Sequence, residues 1–292
     1  MSENELLKPD AIESDDDDTV CLGESFFIDN NYELATFTFG SHVLHLLCLQ
    51  SASTDFDLTG QLVWPGARLL NQYISNNVEL LQGSSALELG SGVGVTGILC
   101  SRFCHKVVLT DHNDEVLKIL NKNIELHKSS EDSNSCAALS AEKLEWGNSD
   151  QLDHILQKHP EGFDLILGAD IYILFILSFK RSLFRVHAWF QKTVEACASR
   201  RETYRYKCRV FELNLPVFQQ NSVPPLFDTV KQLLCLQGKE RCRFILAYVS
   251  RSKMMDVMVT KEAIVHGLQI NEVEGSRSVI SNLEGVIYEI TL

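Results

Sequence analysis

No apolar run in the 292 residues approaches the roughly 20 needed to cross a bilayer. The nearest, Phe163 to Phe179, is short and carries Asp164 and Asp170, so it reads as a buried strand continuing into apolar chain. No N-terminal apolar stretch is flanked by positive charge, so no secretory signal is expected and a membrane is not an expected partner. The chain also lacks C-x-x-C pairs and paired histidines. Its nine cysteines are an odd, scattered set, which argues against a zinc centre or a disulfide framework. No metal is expected. Reduced thiols fit the cytoplasm, or the nucleus as well.

The body of the chain lacks the cationic surplus that nucleic acid requires. Formal net charge is -13, unevenly spread: residues 1–18 carry -7, residues 172–217 carry +6, and the remainder is still -12. An acidic body repels phosphate backbones, so a basic partner is expected and nucleic acid is not. Hydrophobic residues make up 45% of the chain, which supports a real core.

Residues 1–20, with the run Glu13-Ser-Asp-Asp-Asp-Asp18, read as a disordered acidic tail. Residues 21–75 read as an extension. In it Ala35-Thr-Phe-Thr-Phe39 and His42-Val-Leu-His-Leu-Leu47 flank a Gly-Ser turn, a hairpin pattern. A lead-in helix follows from Ala67 to about Ser75. From 76 to 292 strands and helices alternate. Strands are expected at Ala86–Leu89, Lys106–Thr110 (ending at Asp111), Ser140–Trp146, Phe163–Gly168 and Arg243–Val249, with an antiparallel closing pair at Gln269–Glu274 and Val286–Leu292. The fold class is therefore α/β, with a mainly parallel sheet covered on both faces by helices. Residues 172–217 break the rhythm. They are basic, rich in Phe, Tyr and Arg, and lie in a connection of nearly sixty residues between Gly168 and the helix expected from Phe227, where a few are usual.

Four glycines fall within eight residues, at Gly90, Gly92, Gly94 and Gly97. Glycine at that density after a strand lets a ligand approach the backbone at a helix start. From Gly92 the string is G-x-G-x-x-G, a dinucleotide pattern; from Glu88 it is E-x-G-x-G-x-G, the pattern of an S-adenosyl-L-methionine loop. Asp111, nineteen residues after Gly92, suits the ribose hydroxyls of either ligand. Three features favour the methyl donor. Glu88 would repel a pyrophosphate but suits a cationic ligand or organises the loop. Trp146, read as ending a strand, offers a wall for adenine. The closing strand pair is the third. Gly94 and Gly97 are read as letting the following helix pack.

Gln61-Leu-Val-Trp64-Pro, Ala86-Leu-Glu-Leu-Gly-Ser-Gly-Val-Gly94, Val108-Leu-Thr-Asp111, Leu144-Glu-Trp146-Gly and Asp164-Leu-Ile-Leu-Gly-Ala-Asp170 occur in one order. In that order the chain resembles the seven-β-strand protein-lysine methyltransferases of the methyltransferase-like family 16 type, over about 35–171 and again from about 219. The resemblance implies a Rossmann-like sheet of seven strands, S-adenosyl-L-methionine as cofactor and a protein-lysine acceptor; with an acidic body the acceptor surface is expected to be basic, and the chain is expected to be a monomer. It implies cofactor contacts from Trp64, Gly90, Ser91, Gly92, Asp111, Trp146 and Ala169. Asp170 would orient the acceptor amine and Tyr172 would supply an aromatic wall. The family pattern after the fourth strand is D-x-x-Y or D-x-x-F. This chain has Asp170-Ile-Tyr172-Ile173, with the aromatic one place early, where the atypical segment 172–217 begins. That segment is read as an insertion at the substrate edge. A small-molecule methyltransferase and a catalytically impaired cofactor-binding protein stay open as alternatives.

Overall fold

A computed structural model describes residues 31–51, 59–130, 137–170, 223–235 and 242–292. The acidic tail and the 172–217 segment, Tyr172 included, lie outside the described residues.

The chain opens with a hairpin, β1 (Glu33–Phe39) and β2 (His42–Cys48), paired in register from Glu33 with Cys48 to Phe39 with His42. The turn is two residues, and Gly40 supplies the positive φ of 58° that a glycine-first turn needs. Phe37, Phe39, Leu44 and Leu46 alternate onto one buried face. α1 (Pro65–Asn76) follows, with proline at its first turn as a helix start favours.

The main sheet contains β3 (Ser85–Leu89), β4 (Lys106–Asp111), β5 (Ala138–Lys143), β6 (Leu165–Ala169), β7 (Arg243–Val249), β8 (Gln269–Glu272), β9 (Ser278–Ile280) and β10 (Leu283–Thr291). Its order is β5-β4-β3-β6-β7-β10-β8, seven strands on one path, with short β9 added beside β10. β3 to β7 are parallel, while β10 runs antiparallel to β7, β8 and β9. The sequence reading misses β9, whose turn to β10 rests on Ser281 and Asn282 at φ 52° and 65°. A turn of this kind needs left-handed residues and carries little hydrophobic signal.

Helices cover both faces. α1, α2 (Val95–Cys100) and α3 (Asp114–Ser130) share one core with the hairpin. α4 (Ser149–Lys158), α5 (Val223–Cys235) and α6 (Lys253–Val265) share the other. Side chains alternate across the strands. Val107 and Leu109 enter the first core and Val108 the second, and on β3 Ala86 enters the first while Leu87 and Leu89 enter the second. Glu88, two residues from Ala86, therefore points to the α1–α3 face. The strand expected to run to Trp146 stops at Lys143. Past it the Leu144 N–H still bonds to Asp111 O at 2.9 Å, and the chain then turns, closed by Asn148 N–H to Glu145 O at 3.0 Å, so Trp146 stands in a turn and not in the strand.

A polar clamp holds the hairpin down. Asn123 of α3 accepts from Leu47 N–H at 2.8 Å and donates to the carbonyls of Leu47 and Val93, each at 2.9 Å. It serves the edge of β2 as a neighbouring strand would, and reaches the glycine loop at the same time.

α5 anchors the second core through Phe227, which is fully buried. Phe227→Ala should cost about 3–5 kcal/mol of stability by urea unfolding. A loss under about 1 kcal/mol would mean that α5 is not packed on the sheet.

Candidate functional site

β4, β3 and β6 are neighbours, and an open cleft of about 650 Å³ lies at their carboxyl ends. It is lined by Trp64, Glu88, Gly90, Ser91, Gly92, Asp111, Trp146, Ala169 and Asp170, so every expected site residue within the described part of the chain meets there. Such a position, outside the carboxyl ends of parallel strands, is where open α/β sheets take their ligands.

The loop between β3 and α2 is stitched to β4. Ser91 N–H donates to Thr110 O at 2.8 Å, Thr110 N–H donates to Ser91 Oγ at 3.1 Å, and Thr110 Oγ1 donates to Glu88 O at 2.7 Å. Gly92 has φ 54°, a left-handed backbone that a side chain rarely adopts, and a Cβ there would lie 2.7 Å from Gly60 O. The close approach at Gly92 is thus to this chain's own strap, residues 59–64. The strap is tied by Leu62 N–H to Thr59 O at 3.2 Å, by Trp64 Nε1–H to the same carbonyl at 3.0 Å, and by Leu49 N–H to Gln61 O at 3.0 Å.

Three carboxylates meet the cleft, each engaged by backbone. Glu88 Oε2 accepts from Gly97 N–H of α2 at 3.0 Å. Burial pushes its carboxyl up to about 7, while bonds from Ser91, Gly97 and Thr96 pull the other way. Asp111 accepts from Gly92 N–H at 3.1 Å through Oδ2 and from Asn113 N–H at 3.1 Å through Oδ1. Burial raises it too, against the lowering influence of His112, whose Nδ1 lies 3.4 Å away. Asp170 stands just past β6 at φ 52° and accepts from the Gly66 N–H of α1. A Cβ at Gly66 would stand 2.6 Å from Asp170 Cγ, so glycine there is what lets the two meet. Burial raises the Asp170 carboxyl to about 6, against the Gly66 N–H, the Arg251 guanidinium and the backbone of Val249. The resemblance implies that Asp170 orients an acceptor amine, and its carboxylate is also held by backbone. It caps α1, which precedes it by a hundred residues.

The aromatic walls are held differently. Trp64 occupies the N-cap position of α1, and the Arg251 guanidinium lies over its ring, 5.9 Å from the centroid. Trp146 is oriented by Gly147, whose N–H donates to Thr229 Oγ1 of α5 at 2.8 Å. Ala169, at the end of β6, faces the cleft opposite these walls. Sequence reasoning missed Thr59, Gly60, Val63, Ala67 and His112, which also line the cleft. A Gly60 beside Trp64 was a faint signal for the strap. Arg251 had none, because eighty-one positions separate it from Asp170 in the sequence.

Comparison with known proteins adds an independent line. A family profile described as lysine methyltransferase matches residues 46–197, just over half of the chain. The chain is 31% identical over 143 residues to protein N-lysine methyltransferase METTL21A of Mus musculus, covering 48% of this chain and 59% of that protein. It is 30% identical over 147 residues to protein-lysine N-methyltransferase EFM3 of Chaetomium thermophilum, covering 48% of this chain and 42% of that protein. It is 36% identical over 112 residues to EEF1A lysine methyltransferase 3 of Xenopus tropicalis, covering 38% of this chain and 45% of that protein. The matches thus span roughly half the length of these relatives.

Two measurements test the site as built. Gly92→Ala should force the strap off the loop, so amide exchange at Leu62 and Leu49 should quicken at least tenfold, from about 1.4 kcal/mol or more of local destabilisation. Unchanged exchange would mean the strap is held elsewhere. The second concerns Glu88, whose folded carboxyl holds its proton more tightly than the unfolded one. Its stabilising contribution is full below about pH 4.5 and lost as pH rises through about 7. Glu88→Gln should therefore gain on the parent by on the order of 3 kcal/mol between pH 4.5 and 8, read from urea midpoints. A pH-independent difference would show that Glu88 titrates normally.

Proposed function

The chain belongs to the lysine methyltransferase family, and from that premise we propose that it transfers a methyl group from S-adenosyl-L-methionine to a lysine side chain of a protein. The observation that carries the proposal is the single cleft in which Trp64, the Gly90–Gly92 loop, Asp111, Trp146 and Asp170 converge from five separate stretches of sequence.

The residues present fit the cofactor. The cleft is acidic, with Glu88, Asp111 and Asp170 on its wall, and the cofactor carries an ammonium and a sulfonium. Thr59 Oγ1 is buried without a hydrogen-bond partner among the described residues, a polar atom that a ligand hydroxyl or carboxylate would satisfy. Bound there, S-adenosyl-L-methionine supplies an electrophilic methyl group whose departure leaves a neutral thioether. The chain's own groups hold and orient. Asp111 accepts from the ribose hydroxyls, Ser91 and Gly92 meet the amino-acid end, Ala169 borders the methionine part, and Trp64 and Trp146 wall the site. Glu88 shapes the loop through Gly97. A lysine amine attacks only after losing its proton, which a desolvating cleft favours. Asp170 borders that cleft as the group that orients the amine. The acidic body suits a protein partner with a basic, lysine-bearing surface.

S-adenosylhomocysteine should raise the melting temperature while NAD does not. Asp111→Asn should weaken that binding by about tenfold or more, the order expected for a lost charge-assisted hydrogen bond. Methyl-labelled donor mixed with cell extract should deliver label to protein. Label confined to the small-molecule fraction would overturn the protein-acceptor reading, and a rise with NAD alone would overturn the cofactor.

A further inference from the structure

Arg251 follows β7 and lies outside the cleft lining, yet it touches two residues that line it. Its Nη2 stands 3.5 Å from Asp170 Oδ2, and its guanidinium lies over the Trp64 ring, 5.9 Å from the centroid. Its Nε and Nη2 atoms are buried and make no hydrogen bond among the described residues. These two nitrogens form one edge of the guanidinium fork, the edge that takes a carboxylate side-on. Of the two, Nη2 faces Asp170 as an ion pair at 3.5 Å.

We propose that Arg251 is a positioning residue for the acceptor end of the cleft: it keeps Asp170 an ionised hydrogen-bond acceptor and pins Trp64 beside it. The proposal rests on the methyltransferase reading above and extends it to a residue that reaches no substrate. The chemistry requires such a partner. An acceptor amine that has lost its proton can be oriented only by a group that accepts its N–H. A buried carboxyl left to itself takes up a proton and becomes a donor. Among the described residues the groups facing Asp170 are few. Gly66 N–H comes from α1, Val249 backbone and the Tyr248 phenol from β7, and Arg251 from the loop after β7. Tyr248 donates its proton to Asp256 at 2.7 Å, so it offers Asp170 none. Among the described residues Arg251 is therefore the one full positive charge in that group. Its position over the Trp64 ring links the carboxylate to the start of α1, whose Gly66 N–H is already on Asp170. Lysine at this position would keep the charge and lose the fork.

The test reads Asp170 directly. In protein labelled with carbon-13 at aspartate carboxyls, the Asp170 resonance is identified by its disappearance in Asp170→Asn and then titrated. The parent should show a midpoint near 6, above the ordinary aspartate range. Arg251→Gln should move that midpoint upward by about one unit or more, as expected for removal of an opposite charge at this distance. Arg251→Lys should recover at least half of the shift. The acid limb of the rate of protein methylation should move with the carboxyl. An unmoved Asp170 midpoint in Arg251→Gln overturns the inference, even in an active enzyme with reduced turnover. A moved midpoint in a protein that methylates no protein overturns the acceptor role through its premise and leaves the charge pairing standing.

Discussion

Three carboxylates are buried at the carboxyl ends of three neighbouring strands, and each accepts a hydrogen bond from the backbone N–H of a glycine in another segment. Glu88 meets Gly97, Asp111 meets Gly92 and Asp170 meets Gly66. Burying an uncompensated carboxylate is costly, and here a backbone dipole offsets part of that cost at every site. A Cβ would be crowded at each glycine, though by different neighbours: at Gly66 it would lie 2.6 Å from Asp170 Cγ, at Gly97 2.6 Å from the Leu109 side chain and 3.0 Å from Glu88 Oε2, and at Gly92 2.7 Å from Gly60 O. These three contacts join the first helix, the glycine loop and the helix after it to the sheet edge. The walls of the cleft follow from them.

The same arrangement sets the electrostatic character of the site. All three carboxyls sit above their ordinary range because burial outweighs the N–H groups that face them. A cleft with such a lining favours a cationic ligand over a phosphate. That agrees with the family to which the chain belongs, and it gives the early glutamate of E-x-G-x-G-x-G a structural task. Glu88 holds the first turn of α2 against β3, so the loop is shaped before any ligand arrives. Asp170 does the equivalent for α1, and Arg251 and Trp64 extend that contact across the mouth of the cleft.

Much of this was legible in the linear chain. Alternation in Ala35–Phe39 and the run Arg243–Val249 mark strands because a buried pleated surface demands period two or unbroken apolar character. The spacing from Gly92 to Asp111 marks one strand-helix-strand unit. The five motifs pointed to residues that do converge in one cleft. What the chain hid were contacts without local period. Ser281–Asn282 form a left-handed turn that hydrophobic pattern does not register. Trp146 follows its strand instead of ending it, because the chain leaves the ladder after Leu144 and turns, with Asn148 N–H on Glu145 O.

By itself the sequence determined the alternating α/β order, the two-faced burial of the strands and the identity of the loop. These depend on short-range spacing, which covalent geometry ties to one face or one turn. Only the tertiary structure decided what each polar group does. Asp170 caps a helix a hundred residues earlier, Gly92 admits the carbonyl of Gly60, and Arg251 reaches Asp170 from the end of a strand laid beside β6. Those pairings exist because parallel strands bring distant carboxyl ends together, and no local spacing encodes which ends become neighbours.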